Sequence, residues 1–263
     1  MATNSPAAQS SSSTQPARAM ALAVTPAKNL ATQVMNYVRD CAQNGSMAPG
    51  EWYSVYKLSE QLGISRSPVR DGLLRLEEAG LIEFSRNRGF QIVETKPSDV
   101  ADIFDMRLAL EPRIAARAAL ARSDEQLAQM RALLQSMEAS VQSGNEPEFF
   151  SWDKQLHDAI LVAGGSTRAR DTLDKLRTHT QILTDSTVRN ERSLEQVHSE
   201  HVPIIDAIAK GDAQRARQDM ASHITATGRL LLRQTLRRRN PQLSEAEAEQ
   251  RVEEIWDAHT REL

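Results

Sequence analysis

The chain reads as mainly α, with one small β-hairpin near its N-terminus and an all-α helical bundle behind it. Three observations predict this. Apolar residues recur at helical spacing in segment after segment. One stretch breaks that rhythm: Ile82, Phe84, Ile92 and Val93 flank a polar tip, Arg86-Asn87-Arg88-Gly89, as two short strands and a turn would. Glycines at 63, 80, 144, 164, 165 and 211 punctuate the helical segments where a chain must turn.

The region before the hairpin carries a compact pattern. Leu58 and Leu62 are four apart and share one helix face. Gly63 follows where the chain turns, and apolar Ile64 pins that turn to the core. Ser67 precedes Pro68, an N-cap followed by a residue suited to the first helical position, so a second helix starts here. Val69, Leu73 and Leu76 form its apolar stripe, with Leu74 beside them, and Gly80 ends it. A helix, a tight turn, a second helix and a hairpin, in that order, make a winged helix-turn-helix. Its second helix is shaped to enter a DNA major groove. Ser65, Arg66, Ser67 and Arg70 cluster at the start of that helix, where bases and phosphates are met. The arginine-bearing hairpin tip suits a minor groove or a phosphate backbone.

The string GISRSPVRDGLLRLEEAGLIEFSRNRGFQI resembles the DNA-binding domain of the GntR family of bacterial transcription regulators, over about residues 29–95. Carried over by position, the resemblance implies DNA contacts from Ser65, Arg66, Ser67 and Arg70 and from the wing tip Asn87, Arg88 and Gly89. Tyr56 departs from the pattern, because some members place a DNA-touching arginine there; that contact is not carried over. Ser59 replaces a common alanine.

Composition adds bounds. The chain has 263 residues, 40% apolar and 4% aromatic, with a net charge of −3, enough for two domains with cores but not basic in bulk. Residues 29–96 hold eight Lys/Arg and eight Asp/Glu, so a DNA reading rests on where the arginines sit, not on net charge. A single cysteine, Cys41, excludes an intramolecular disulfide framework and fits a reducing cytoplasm. No apolar run approaches the ~20 residues of a membrane helix. Residues 1–27, rich in Ala, Ser, Thr, Gln and Pro, read as a disordered tail without the charged-then-apolar pattern of a signal peptide.

From residue 98 the pattern is helical only, and about six helices are expected up to residue 239. Ser98 is placed as the cap of the first, with Ile103, Met106 and Leu110 as its stripe. Ser123 and Gln126 form a capping-box pattern before the second. The third is FFSWDKQLHDAILVA, the fourth runs through Leu173, Leu176 and Ile182, and the last two flank Gly211. Residues 240–263 add Asn240-Pro241 and a Ser244-capped acidic helix. The run Arg237-Arg238-Arg239 suits a solvated helix C-terminus. The domain reading is therefore a tail over 1–27, a DNA-reading domain over 28–95, a bundle over 98–239 and an extension over 240–263.

Four residues in the bundle carry chemistry. Asp153 and His157 lie four apart on one helix face. His201 lies ten residues before Gly211 and His223 twelve after it. A turn at Gly211 would bring both to the same height on antiparallel neighbours. One carboxylate and three imidazoles would then converge, a donor set for Zn, Ni, Cu or Fe, broadened towards Mn by the carboxylate. Six histidines in the chain are no enrichment, and spacing alone does not choose between His198 and His201.

The layout Asp153-x-x-x-His157, Glu200-His201 before a Gly-Asp turn, and His223-Ile224 after it resembles the FCD-type effector domain of the FadR subfamily, over about residues 98–235. The resemblance implies a divalent metal (Zn, Ni, Mn or Fe) on Asp153, His157, His201 and His223, with His201 preferred for its Glu200 neighbour. It implies a small carboxylate effector on that metal, a homodimer, and a double-stranded inverted-repeat operator whose occupancy the acid controls, most often as a repressor. Arg107, paired with Glu111 at the bundle's start, is placed either on the effector's carboxylate or in a structural salt bridge. The chain is expected to be no enzyme, since no further carboxylate or histidine stands at a general-base spacing. Two other readings are a metal-free regulator sensing an acyl ligand, against which the intact quartet argues, and a metal-dependent enzyme that kept a DNA-binding domain.

Overall fold

A computed structural model of the chain describes residues 27–43, 45–93, 96–183, 188 and 192–260. The tail expected over 1–27 lies, up to residue 26, outside them. The first group of elements is α1 (Ala27–Gln43), β1 (Trp52–Tyr53), α2 (Val55–Leu62), α3 (Arg66–Glu78), β2 (Ile82–Ser85) and β3 (Gly89–Ile92). Helix α3 packs on α1, α2 and β2, burying Val69, Leu73 and Leu76 completely, while Leu74 stays exposed. Helix α2 is capped by Ser54, whose side chain accepts from Lys57 N, and closes on left-handed Gly63. The sequence placed the α3 cap at Ser67. The helix starts earlier, with Ser65 in extended backbone as the capping residue and Pro68 inside the first turn.

The wing is an antiparallel sheet of order β1-β3-β2, with Phe84 opposite Phe90 and Tyr53 opposite Phe90 on its core side. Two strands were expected; β1 is the third, too short to show alternation in sequence. At the tip Gly89 has φ +97, and a Cβ there would run into the Tyr53 carbonyl oxygen. Only glycine meets both demands.

The second group is all helical: α4 (Pro97–Ala121), α5 (Asp124–Ser143), α6 (Glu146–Ala163), α7 (Thr167–Leu183), α8 (Leu194–Lys210), α9 (Ala213–Arg239) and α10 (Glu245–Thr260). Helices α4 and α9 form the spine, with α6, α7, α8 and α10 laid against α4 and with α5 spanning α6 and α8. Reciprocal capping boxes open α5 (Ser123, Gln126) and α8 (Ser193, Gln196). Helix α4 begins at Pro97 rather than after Ser98, with Asp99 accepting from Lys96 N.

The face of α4 corrects one expectation. Ile103 is buried, but Met106 and Leu110 are 43% and 37% exposed. The buried face runs instead through Val100, Phe104, Arg107, Glu111, Ala115 and Ala118. Both faces of this helix are rich in apolar residues, and the buried one includes an ion pair that hydrophobic periodicity does not detect. In α7 Leu173 is buried and Leu176 partly so; the side chain of Ile182 lies outside the described residues.

Candidate metal centre and DNA-reading face

Gly211 ends α8 in the left-handed conformation (φ 73), and α9 starts two residues later with Asp212 as its cap. This tight turn sets α9 back against α8. His201 and His223 thereby face each other, ring centroids 4.3 Å apart. Helix α6 brings Asp153 and His157, one turn apart, to the same point; His157 lies 5.3 Å from each of the other rings. One ligand atom from each of Asp153, His157, His201 and His223 lies within 4.8 Å of the other three. All three histidines are buried and Asp153 is partly so.

Each ring is oriented by a partner on its outer nitrogen. His157 Nδ1 donates to Glu111 Oε2 (2.9 Å), His201 Nδ1 to the Val197 carbonyl (2.8 Å) and His223 Nδ1 to Glu200 Oε2 (2.8 Å). These acceptors carry no proton of their own, so each Nδ1 is the protonated nitrogen and each Nε2 is left with its lone pair. His157 Nε2 and His201 Nε2 then stand 3.3 Å apart, with Asp153 Oδ1 3.0 Å from His201 Nε2. Lone pairs so aimed at one another repel unless a cation or proton lies between them. The residues therefore fit a cation-binding centre, with the outer-nitrogen partners that such histidines ordinarily have.

The electrostatics agree. Burial disfavours a charged Asp153, but the hydrogen bond and charge of His201, with His157 and His223 beyond it, hold the carboxyl well below its usual range. His201 is raised: burial opposes its charge, and contact with Asp153 outweighs burial. Burial, then the charge of His201, pushes His223 down to about 3. His157 is lowered by burial and by the Arg177 guanidinium, against the pull of Glu111.

Glu111 is the hub of this outer layer. Burial alone would raise its pKa, but Arg107 and Arg177 hold it well below the ordinary carboxylate range. Arg107 Nε donates to Glu111 Oε1 at 2.8 Å and Arg177 Nη2 to Oε2 at 2.5 Å. Arg107 thus makes the salt bridge that was one of its two expected roles, and its guanidinium also lies 4.9 Å from the centre of the Phe104 ring. Glu200 is fixed likewise from the far side by Arg192 Nη1, 2.9 Å away. Sequence reasoning noted Glu111 and Glu200 but not Arg177 or Arg192. Neither arginine stands at a telling spacing from its carboxylate.

The residues expected to contact DNA lie in the N-terminal group of elements. Ser65, Arg66, Ser67 and Arg70 are exposed at the start of α3, and Asn87 and Arg88 at the hairpin tip. Asn87 takes φ 66, which Asn tolerates better than most residues. Gly89 closes the turn against the Tyr53 backbone. The Arg66 guanidinium lies 4.7 Å from the centre of the Tyr56 ring, and that of Arg88 4.5 Å from the centre of a Trp52 ring. No described helix is long and apolar enough to cross a membrane.

Comparisons with known proteins agree with this layout. Residues 30–92 match the family described as bacterial regulatory proteins, gntR family, and residues 102–226 match the FCD domain. The chain is similar to the HTH-type transcriptional repressor RspR of Escherichia coli (23% identity, covering 76% of this chain and 88% of that protein). It is also similar to the HTH-type transcriptional regulator LutR of Bacillus subtilis (27%, 70% and 92%). Among solved structures it shares its fold with E. coli McbR/YncC (TM-score 0.60, 21% identity, covering 78% of this chain and 98% of that one).

Proposed function

The chain belongs to the gntR family of bacterial transcription regulators and carries an FCD domain, and from that premise we propose a homodimeric, metal-dependent repressor controlled by a small organic acid. It is a DNA-binding regulator and not an enzyme. One observation carries the finer reading. Three buried imidazoles and a carboxylate turn their open donor atoms to one point, and every outer ring nitrogen is already committed.

In this reading Asp153, His157, His201 and His223 hold a divalent ion, Zn, Ni, Mn or Fe. When bound, that ion supplies a Lewis-acid position for an oxygen of a small carboxylate. Glu111, the Val197 carbonyl and Glu200 keep the three ring nitrogens aimed at it. Arg107, whose Nε is held by Glu111, is the residue proposed to offer its remaining guanidinium N–H groups to the acid's carboxylate. Ser65, Arg66, Ser67 and Arg70 read a half-site in the major groove, and Asn87, Arg88 and Gly89 lie along the neighbouring backbone or minor groove. Two copies read an inverted repeat. The outward strip of α4, with Met106, Leu110 and Leu120 exposed, is apolar surface that a second copy would cover. The acid controls DNA binding only by favouring one arrangement of the bundle over another. The protein acts in the cytoplasm, with the DNA it reads.

The test is selection of bound duplexes from a random library by the metal-loaded protein, with gel-filtration mass in parallel. A short inverted repeat and a dimer mass are expected. Enrichment of a single unrepeated site by a monomer would overturn the dimeric operator reading.

A further inference from the structure

Two exposed arginines of the proposed DNA-reading face each lie over an aromatic ring, and the two rings come from the short stretch that enters α2. Trp52 is in β1 and Tyr56 in the first turn of α2. Tyr56 is 48% exposed, too open to be explained as core. Its backbone carbonyl accepts from Ser59 Oγ at 2.7 Å, which fixes the helix turn that carries the ring. Trp52 is held by the pairing of β1 with Gln91 on β3, directly under the hairpin tip. Neither Arg66 nor Arg88 makes an ion pair with a carboxylate among the described residues; the ring is what each guanidinium rests on.

We propose that Tyr56 and Trp52 are positioning residues for DNA recognition, each holding one arginine with its donor edge turned outward to the duplex. The inference rests on the reading that Arg66 and Arg88 touch DNA. Stacking uses the face of the guanidinium and leaves its N–H edge free for bidentate contact with guanine or phosphate. A stacked arginine has already lost much of the rotamer freedom that binding would otherwise remove. The two stacks stand at the two ends of the reading surface, one at the recognition helix and one at the wing. Major-groove and backbone contacts are thus prepared by one method.

The test is a double-mutant cycle on the metal-loaded, full-length protein, using a labelled duplex that carries the sequence it enriches from a random library. Tyr56→Leu should weaken binding roughly two- to fivefold, the size of an exposed cation–π contact, with an unchanged melting temperature. Tyr56→Phe should bind like the parent. In an Arg66→Ala background Tyr56→Leu should have no further effect. Trp52→Leu is paired with Arg88→Ala in the same way, and Trp52→Phe serves as the conservative variant should Trp52→Leu melt early. A Tyr56→Leu protein that binds normally, or that loses the same factor when Arg66 is already alanine, would overturn the proposal while the DNA reading stands. Parent-like affinity in Arg66→Ala and Arg88→Ala would sink that DNA reading, and the proposal with it.

Discussion

The proposed metal centre and the proposed DNA-reading face solve the same problem, holding polar groups in a working orientation, by opposite means. At the centre each ring is pinned by a hydrogen bond that it donates, two of the three to carboxylates that are themselves held by arginines, and Glu111 is only 1% exposed. At the DNA face the arginines are solvated and rest on ring surfaces. A buried charge that loses its partner has no water to replace it; an exposed one does. Damage at the centre should therefore appear as lost stability and lost metal together. Damage at the face should appear as lost affinity alone.

The largest effect expected is on metal content. Asp153→Ala and His223→Ala should each lose the stoichiometric metal of the parent, as read by elemental analysis of protein purified in parallel; full occupancy in both would refute the site. Next is Glu111→Ala, which leaves the Arg107 guanidinium buried without its carboxylate and Arg177 with Asp158 alone. It should cost about 3–5 kcal/mol of folding stability in a denaturant titration, and a loss below about 1 kcal/mol would mean the network is solvated after all. Glu200→Gln keeps the shape beside His223 but weakens the acceptor, and should lower metal affinity roughly 10–100-fold in competition with a chelator. The smallest change to the folded chain is expected of Arg70→Ala. Operator affinity should drop roughly tenfold while stability moves by less than about 0.5 kcal/mol. If its melting curve shifted with its affinity, the contrast between the two regions would fail.

How legible each region was in the sequence follows from the same contrast. Asp153 and His157 share a helix face by spacing, and Gly211 fixes the turn that places His223 against α8, so local rules reach these three; the choice of His201 over His198 rests on the resemblance at Glu200-His201. Arg177 meets Glu111 across 66 residues of chain, and only the packing of α7 against α4 brings them together. The face of α4 was misread at Met106 and Leu110 because periodicity counts apolar residues, whereas the buried stripe contains Arg107 and Glu111. On the DNA side the helix-turn-helix and hairpin were plain from Gly63, Gly80 and the alternation around Arg86 to Gly89. Strand β1 and its tryptophan were not, since two residues hold no period.

The stack of Arg88 on Trp52 has an optical consequence. The chain has three tryptophans, and they fall at three separate stations: Trp52 beneath the wing tip, Trp152 adjacent to Asp153 on α6, and Trp256 buried on α10 against Phe104. Variants keeping one indole at a time would give the wing, the metal centre and the C-terminal helix each a private fluorescent signal. Occupancy of the duplex and of the bundle could then be followed in a single unlabelled protein, and the order in which the two respond could be timed.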